Sequence, residues 1–262
     1  MKIYDQHMHS HYSFDSEQPI KEYLLKAKEE GISHFVLTEH LDVNYLDKGK
    51  DIVFDIDKEN EELNELQKEF PSIKILRGIE IGYKPNDINR IQNFIQGHRF
   101  DVINFSMHES DGIDYYFKEP FNEKGIDKVL DIYFSRQLEA VTNYDDFDVL
   151  CHIDYGFKTA YLIDNSLSID KYEDIISKIM KTVIKKNKVL ELNTKVQEFL
   201  PLEHTRYILN LYKSLGGQYI TISSDAHKIN RYRSSFDKYI PLIKEYGLKL
   251  VYFIDRKRNI FE

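Results

Sequence analysis

A chain of 262 residues, 42% of them hydrophobic, is long enough for one sizeable α/β domain without covalent staples. A single cysteine, Cys151, excludes an internal disulfide framework and fits a reducing, cytoplasmic setting, while the net charge of −8 argues against a non-specific nucleic-acid binder. No apolar run approaches a membrane span, and Met1 leads straight into Asp5 and His7 instead of a basic-plus-apolar leader, so neither membrane insertion nor export is expected.

In chain order, the apolar opening 1–4 predicts a first strand that runs into Asp5-Gln6-His7-Met8-His9. On extended backbone two imidazoles two residues apart point to one face, the arrangement needed to clasp a metal ion from the lip of a sheet. After a polar loop with Ser13, Asp15 and Ser16, the spacing of Tyr23, Leu24 and Ala27 predicts a helix over 21–30, with Gly31 as its stop. Residues 34–38 read as a strand ending in Glu39-His40. A charged helix follows over 57–70, and 73–76 begins a strand that runs to Glu80. The pattern then repeats: helix 86–97, strand 101–106 ending at His108, helix 125–142, strand 147–151 ending at His152. Helix 169–187 leads to strand 188–192 and Asn193, and helix 202–215 to strand 219–223 and then Asp225 and His227. A helix over 235–246 and an apolar run over 248–253 complete the chain.

Strands alternating with helices imply βαβ units and a parallel sheet. No Pro-rich or Gly/Ser-rich linker interrupts the series, so one domain over 1–262 is expected. Turns into strands are short while several segments leaving strands are long and polar. That asymmetry suits a (β/α) barrel with its site on the C-terminal rim.

Six of the seven strands before the final run end in a candidate ligand. With Asp15 from the first loop the set is His7, His9, Asp15, His40, Glu80, His108, His152, Asp225 and His227. Imidazole and carboxylate are ligands for Zn, Mn or Fe. One ion takes about four to six ligands, so nine candidates on one rim imply two or three ions sharing a bridging carboxylate. His34, His98 and His204 fall away from that rim, and His11 lies in the loop as a surface or supporting residue.

The motifs Asp5-x-His7-x-His9-Ser10, Ser13-Phe14-Asp15-Ser16, Thr38-Glu39-His40, Gly78-x-Glu80, Ser106-x-His108, His152-x-Asp154, Glu191-x-Asn193 and Ser224-Asp225-Ala226-His227 span nearly the whole chain. In this it resembles the polymerase and histidinol phosphatase (PHP) family, and within it the histidinol-phosphate phosphatases of the Gram-positive type. The resemblance implies a distorted (β/α)7, TIM-like barrel with a trinuclear site at its C-terminal rim. His7, His9, Glu80 and Asp225 would hold the first ion, with Glu80 bridging to a second on His108 and His152. Asp15, His40 and His227 would hold the third; some relatives carry His where this chain has Asp15. Glu80, Asp225 and His227 are then the expected catalytic residues. The implied reaction is hydrolysis of L-histidinol phosphate in histidine biosynthesis, without a covalent phosphoenzyme. The attacking group is a hydroxide from water bridging two cations, whose pKa is lowered towards neutrality. The alternative is a PHP phosphoesterase acting on a nucleotide or another small phosphomonoester. A nuclease acting on DNA 3′ ends is disfavoured by the lack of a polymerase segment and a basic face, so the expected partner is a small phosphate ester, with no nucleic acid and no membrane.

Phosphatases of this type are expected to grip phosphate with cationic side chains after the fifth and sixth strands. Lys158 and Lys195 stand there with no Arg in either loop, supplying point charge without the bidentate fork. Ordinary solvated surface is an equal reading of both lysines. Tyr115, Tyr116 and Phe117 follow His108, and Tyr116 is the candidate wall for an imidazole-sized pocket; packing within the domain is the other reading of all three.

Overall fold

The structure is a computed structural model and describes residues 1–261. Helix α1 (Ile20–Glu29) turns its apolar stripe of Ile20, Tyr23, Leu24 and Ala27 inward and stops at Gly31, whose φ of +65° suits glycine. Strand β1 (His34–Tyr45) is longer than the sequence pattern implied and turns back through a short antiparallel β2 (Lys50–Val53). Asp55 caps α2 (Ile56–Glu69) by accepting the Lys58 amide at 3.2 Å, and Leu63 and Leu66 face the core. Next come β3 (Lys74–Gly82), α3 (Ile88–Gly97) and β4 (Val102–Ser106), the last buried along its whole length. The hairpin of β5 (Glu109–Ser110) and β6 (Ile113–Asp114) and the short α4 (Glu119–Lys124) precede the long α5 (Ile126–Asn143).

The second half continues with β7 (Val149–Leu150), α6 (Tyr155–Tyr161) and α7 (Glu173–Lys185), which buries Ile176, Ile179, Met180 and Val183 at helical spacing. Strand β8 (Val189–Asn193) passes directly into α8 (Thr194–Gln197), then α9 (Leu202–Ser214) and β9 (Tyr219–Ser223). Helix α10 (Phe236–Glu245), β10 (Lys249–Ile254) and β11 (Lys257–Ile260) end the fold. Five elements escaped the sequence pattern because they are too short for periodicity to register: β2, β5 and β6 of the hairpin, α8 and β11. Helices α4 and α6 add six and seven residues inside segments that read as polar loops.

The main sheet pairs in the order β11-β10-β9-β8-β7-β4-β3-β1-β2. Neighbours from β10 through β1 are parallel, so the fold is mixed α/β with a largely parallel sheet. The expected first strand at 1–4 is not formed. The extended N-terminal segment instead makes one parallel bridge, Met8 to Ala226, and lies between two strand ends: the Thr38 amide donates to the Met8 carbonyl (2.9 Å) and the His9 amide to the Ala226 carbonyl (2.8 Å). Alternation along the strands splits the core in two. Ile103, Phe105, Leu150, Leu190, Leu192, Ile220 and Ile222 pack with α3, α5, α7, α9 and α10. Their strand neighbours Val102, Val149, Cys151 and Val189 gather with Met8, Phe35 and Leu37.

Gly78 marks a close backbone contact between β1 and β3 near the site. A Cβ there would lie 2.6 Å from the Leu37 carbonyl oxygen and 3.0 Å from Val102 Cγ1. Gly78→Ala is therefore expected to destabilise the fold by about 1–3 kcal/mol, read as a lower urea midpoint; an unchanged midpoint would show that β1 and β3 separate freely.

Candidate metal centre

Strand ends bring the ligand candidates together. In the β1–β3 ladder His40 and Glu80 are register partners, so their side chains lie side by side, His40 Nδ1 3.0 Å from Glu80 Oε2. The other Glu80 oxygen meets His108 Nε2 (3.0 Å) after β4 and His152 Nε2 (2.9 Å) after β7. From the N-terminal segment, His7 Nε2 and His9 Nε2 lie 3.1 and 3.5 Å from Glu80 Oε2. Asp225, after β9, places Oδ1 3.3 Å from His9 Nε2 and 3.4 Å from His227 Nδ1. His227 Nε2 in turn reaches Asp15 Oδ2 at 2.9 Å, and His40 Nε2 lies 3.6 Å from Asp15 Oδ1. All nine expected ligands thus form one contiguous cluster around the Glu80 carboxylate.

These side chains suit divalent ions. His7 Nε2, His9 Nε2, both nitrogens of His40 and Glu80 Oε2 are buried with no hydrogen-bond partner although they face one another. Leaving such groups unpaired costs about 1–3 kcal/mol each, and a cation among them would satisfy several at once. Ligand atoms of His7, His9 and Glu80, of His40, Glu80 and His108, and of His9, His40 and His227 lie within 4.8 Å of one another in each group. The protonation pattern agrees. Burial raises the Glu80 carboxyl, but His7, His108 and His40 hold it well below the usual range. Burial lowers the His40 imidazole, yet Glu80 and Asp15 raise it to about 9. Burial, with His40 and His227 alongside, drives His9 well below its ordinary value.

A second layer orients the imidazoles. His7 Nδ1 bonds Glu191 Oε1 (2.7 Å), and Glu191 Oε2 also accepts the His152 amide (2.9 Å). His108 Nδ1 bonds Asp42 (3.1 Å), whose carboxylate fills space where any Cβ at Gly82 would collide. Ser13 Oγ donates to Glu39, so it accepts from His9 Nδ1 (3.1 Å). His227 Nδ1 donates to the Asp225 carbonyl (2.9 Å). Each bond fixes a tautomer that leaves Nε2 as the lone-pair donor. Asp5, pushed up to about 6 by burial, accepts the Ser224 and Arg233 amides and so anchors the loop that carries Asp225. His152 and Asp225 hold left-handed backbone, φ +25° and +48°, at a cost of about 1–3 kcal/mol each.

The cluster floors a cavity of about 390 Å³ lined by Phe14, Tyr45, Asp114, Tyr116, Phe117 and Tyr155 above the ligands. Lys195 also lines it, Nζ 3.3 Å from Asp225 Oδ1 and from His227 Nδ1. Lys158 is not solvated surface: it is 7% exposed, with Nζ 4.1 Å from the Tyr155 ring centre and 5.6 Å from that of Tyr116. Tyr116 and Phe117 wall the cavity, whereas Tyr115 is fully buried against Tyr133. His11 pairs with Glu62 at the surface, and His34, His98 and His204 lie elsewhere. Asp42, Tyr45, Asp114 and Tyr155 were missed, and Glu191 carried no assigned role. Strand alternation held part of the signal, since Asp42 follows His40 by two and shares its face.

The family model for the PHP domain matches residues 5–195, and the chain belongs to that family. It is 30% identical over 255 residues to a probable histidinol-phosphatase of Clostridium acetobutylicum, covering 97% of this chain and 98% of that one. It is 31% identical to the histidinol-phosphatase of Lactococcus lactis, covering 94% and 92%. The crystal structure of a histidinol phosphate phosphatase from Lactococcus lactis, complexed with zinc, L-histidinol and phosphate, superposes with a TM-score of 0.86 at 29% identity over 97% of this chain and 98% of that one.

Glu191→Gln keeps the shape of the second layer but weakens the hold on His7. Its expected effect is a loss of metal affinity of about 10- to 100-fold, read by chelator competition; wild-type affinity would remove Glu191 from the ligand support.

Proposed function

We propose that this protein is a metal-dependent phosphomonoesterase that hydrolyses L-histidinol phosphate to L-histidinol and phosphate in the cytoplasm, with 1–262 acting as one domain. The observation that carries it is the Glu80-centred ligand cluster at the floor of a cavity walled by an ammonium and aromatic faces. Near-full-length similarity to histidinol-phosphatases, one of them holding zinc, L-histidinol and phosphate, supports this substrate over a nucleotide.

We further infer that residues 7–9 serve as a seventh staggered strand beside the six parallel strands β1, β3, β4, β7, β8 and β9, closing a distorted (β/α)7 barrel. The hydrogen bonds of Met8 and His9, and that of Gln6 Nε2 to the Val251 carbonyl (2.7 Å), support the closure. On that rim His7, His9, Glu80 and Asp225 would hold one ion, Glu80 with His108 and His152 a second, and Asp15, His40 and His227 a third; zinc fits this donor set. When bound there, divalent ions would supply positive charge for the phosphoryl oxygens and lower the pKa of water in the site.

The chain's own groups do the positioning. Glu80 keeps the ligand sets in register. Asp225, which burial raises but Lys195 and His9 hold well below the usual carboxylate range, stays anionic and orients the attacking water through Oδ1. His227, fixed through Nδ1, closes the outer edge of the site beside Asp15. Lys158 and Lys195 grip the phosphate, and Tyr116 packs on the imidazole of the alcohol. Catalysis on this reading is orientation and charge stabilisation.

Elemental analysis is expected to give more than one transition-metal ion per chain, and Asp225→Asn or His152→Ala to remove most turnover while cooperative unfolding survives. One ion or fewer at full activity, or near-normal turnover in either variant, would refute the ligand assignment. Lys158→Met and Lys195→Met should weaken binding of histidinol phosphate, a nucleoside monophosphate and an aryl phosphate alike, by about ten- to hundredfold. Tyr116→Ala should hurt histidinol phosphate most. Burial, with Lys195 nearby, pushes Lys158 down to about 8, so its proton is lost and its grip fades as pH rises through that value. Lys158→Arg should carry binding to higher pH; identical pH profiles would remove Lys158 from the phosphate site.

A further inference from the structure

Behind the cavity wall lies a buried polar node that the chemistry above does not use. Asp154, 2% exposed, immediately precedes α6, the helix carrying Lys158. Its Oδ2 accepts from Gln197 Nε2 (2.7 Å), the last residue of the α8 turn carrying Lys195, and from His204 Nε2 (2.7 Å) on α9. Gln197 Oε1 accepts from Thr205 Oγ1 (2.8 Å), and the His204 ring stacks on Phe157 of α6 with centroids 5.2 Å apart. None of these four polar side chains lines the cavity. The node joins the two short elements that carry the lysines, tying the start of α6 to the end of α8.

We propose that His204 is a positioning residue for phosphate binding: by holding Asp154, and through it Gln197, it fixes the spacing of Lys158 and Lys195. This rests on the reading of those lysines as the phosphate grip. Removing the His204 donor leaves a buried carboxylate short of a partner at the junction, and a displaced pair of cations loses affinity without touching the ligand cluster.

The test uses metal-loaded full-length enzyme and inorganic phosphate as competitive inhibitor. His204→Phe keeps the ring on Phe157 but deletes the donor. It is expected to raise the phosphate inhibition constant and the KM of every ester by about tenfold, with kcat and metal content close to wild type. His204→Gln, which returns a donor near Nε2, is expected to restore both. A His204→Phe enzyme that melts earlier yet binds phosphate like wild type, or a Gln variant no better than Phe, overturns the proposal. Should the Phe variant fail to fold, Gln197→Met makes the same cut from the other side, and wild-type phosphate binding in it is equally fatal. Lys158→Met and Lys195→Met run in parallel. If neither moves the inhibition constant, the phosphate-grip reading falls and this role with it; if they move it while His204→Phe and Gln197→Met do not, the positioning role alone falls.

Discussion

A buried carboxylate surrounded by imidazoles is the constraint on which the rest of this structure turns. Glu80 is 1% exposed, and five histidines from four separate parts of the chain point nitrogen at its two oxygens. An isolated carboxylate in such a place costs several kcal/mol of lost hydration. The parallel sheet makes the arrangement possible by delivering one polar residue from each strand end to a common rim, while Leu, Ile and Val occupy the strands below.

The cluster is supported from outside by a ring of carboxylates, each with its own client. Glu191 holds His7, Asp42 holds His108, Glu39 acts on His9 through Ser13, and Asp5 anchors the Ser224-Asp225 loop. These acids account for much of the buried charge near the site, and they work through orientation. An imidazole whose Nδ1 is engaged presents Nε2 in one direction only. The left-handed backbone at His152 and Asp225 belongs to the same economy, since local strain is tolerated where surrounding bonds overdetermine the geometry.

A protein of net charge −8 that binds a phosphate ester must localise its positive charge. Here Lys195 sits against Asp225 at the cavity edge, and Lys158 is buried over the Tyr155 ring. Lysine in place of arginine makes this charge responsive to its surroundings, because an ammonium loses its proton far more readily than a guanidinium when desolvated. Aromatic faces next to the two lysines provide the apolar half of the cavity.

The sequence by itself determined the alternation of strand and helix, and the nine candidate ligands and their order, because hydrophobic periodicity and residue type are local properties. Residues 34–38, 101–106 and 219–223 announce strands through apolar runs, and His40, His108 and Asp225 follow them directly or within two residues. Only the tertiary structure decided that Lys158 is buried and Tyr115 is packing, that residues 1–4 form no strand, and that Asp42 and Glu191 orient histidines 66 and 184 residues away. His204 shows the limit most clearly. Its place on a helix gave no hint of a role, and its partner Asp154 lies 50 residues earlier. Contacts between residues distant in sequence are set by how strands stack and which loops they bring together, and no local pattern encodes them.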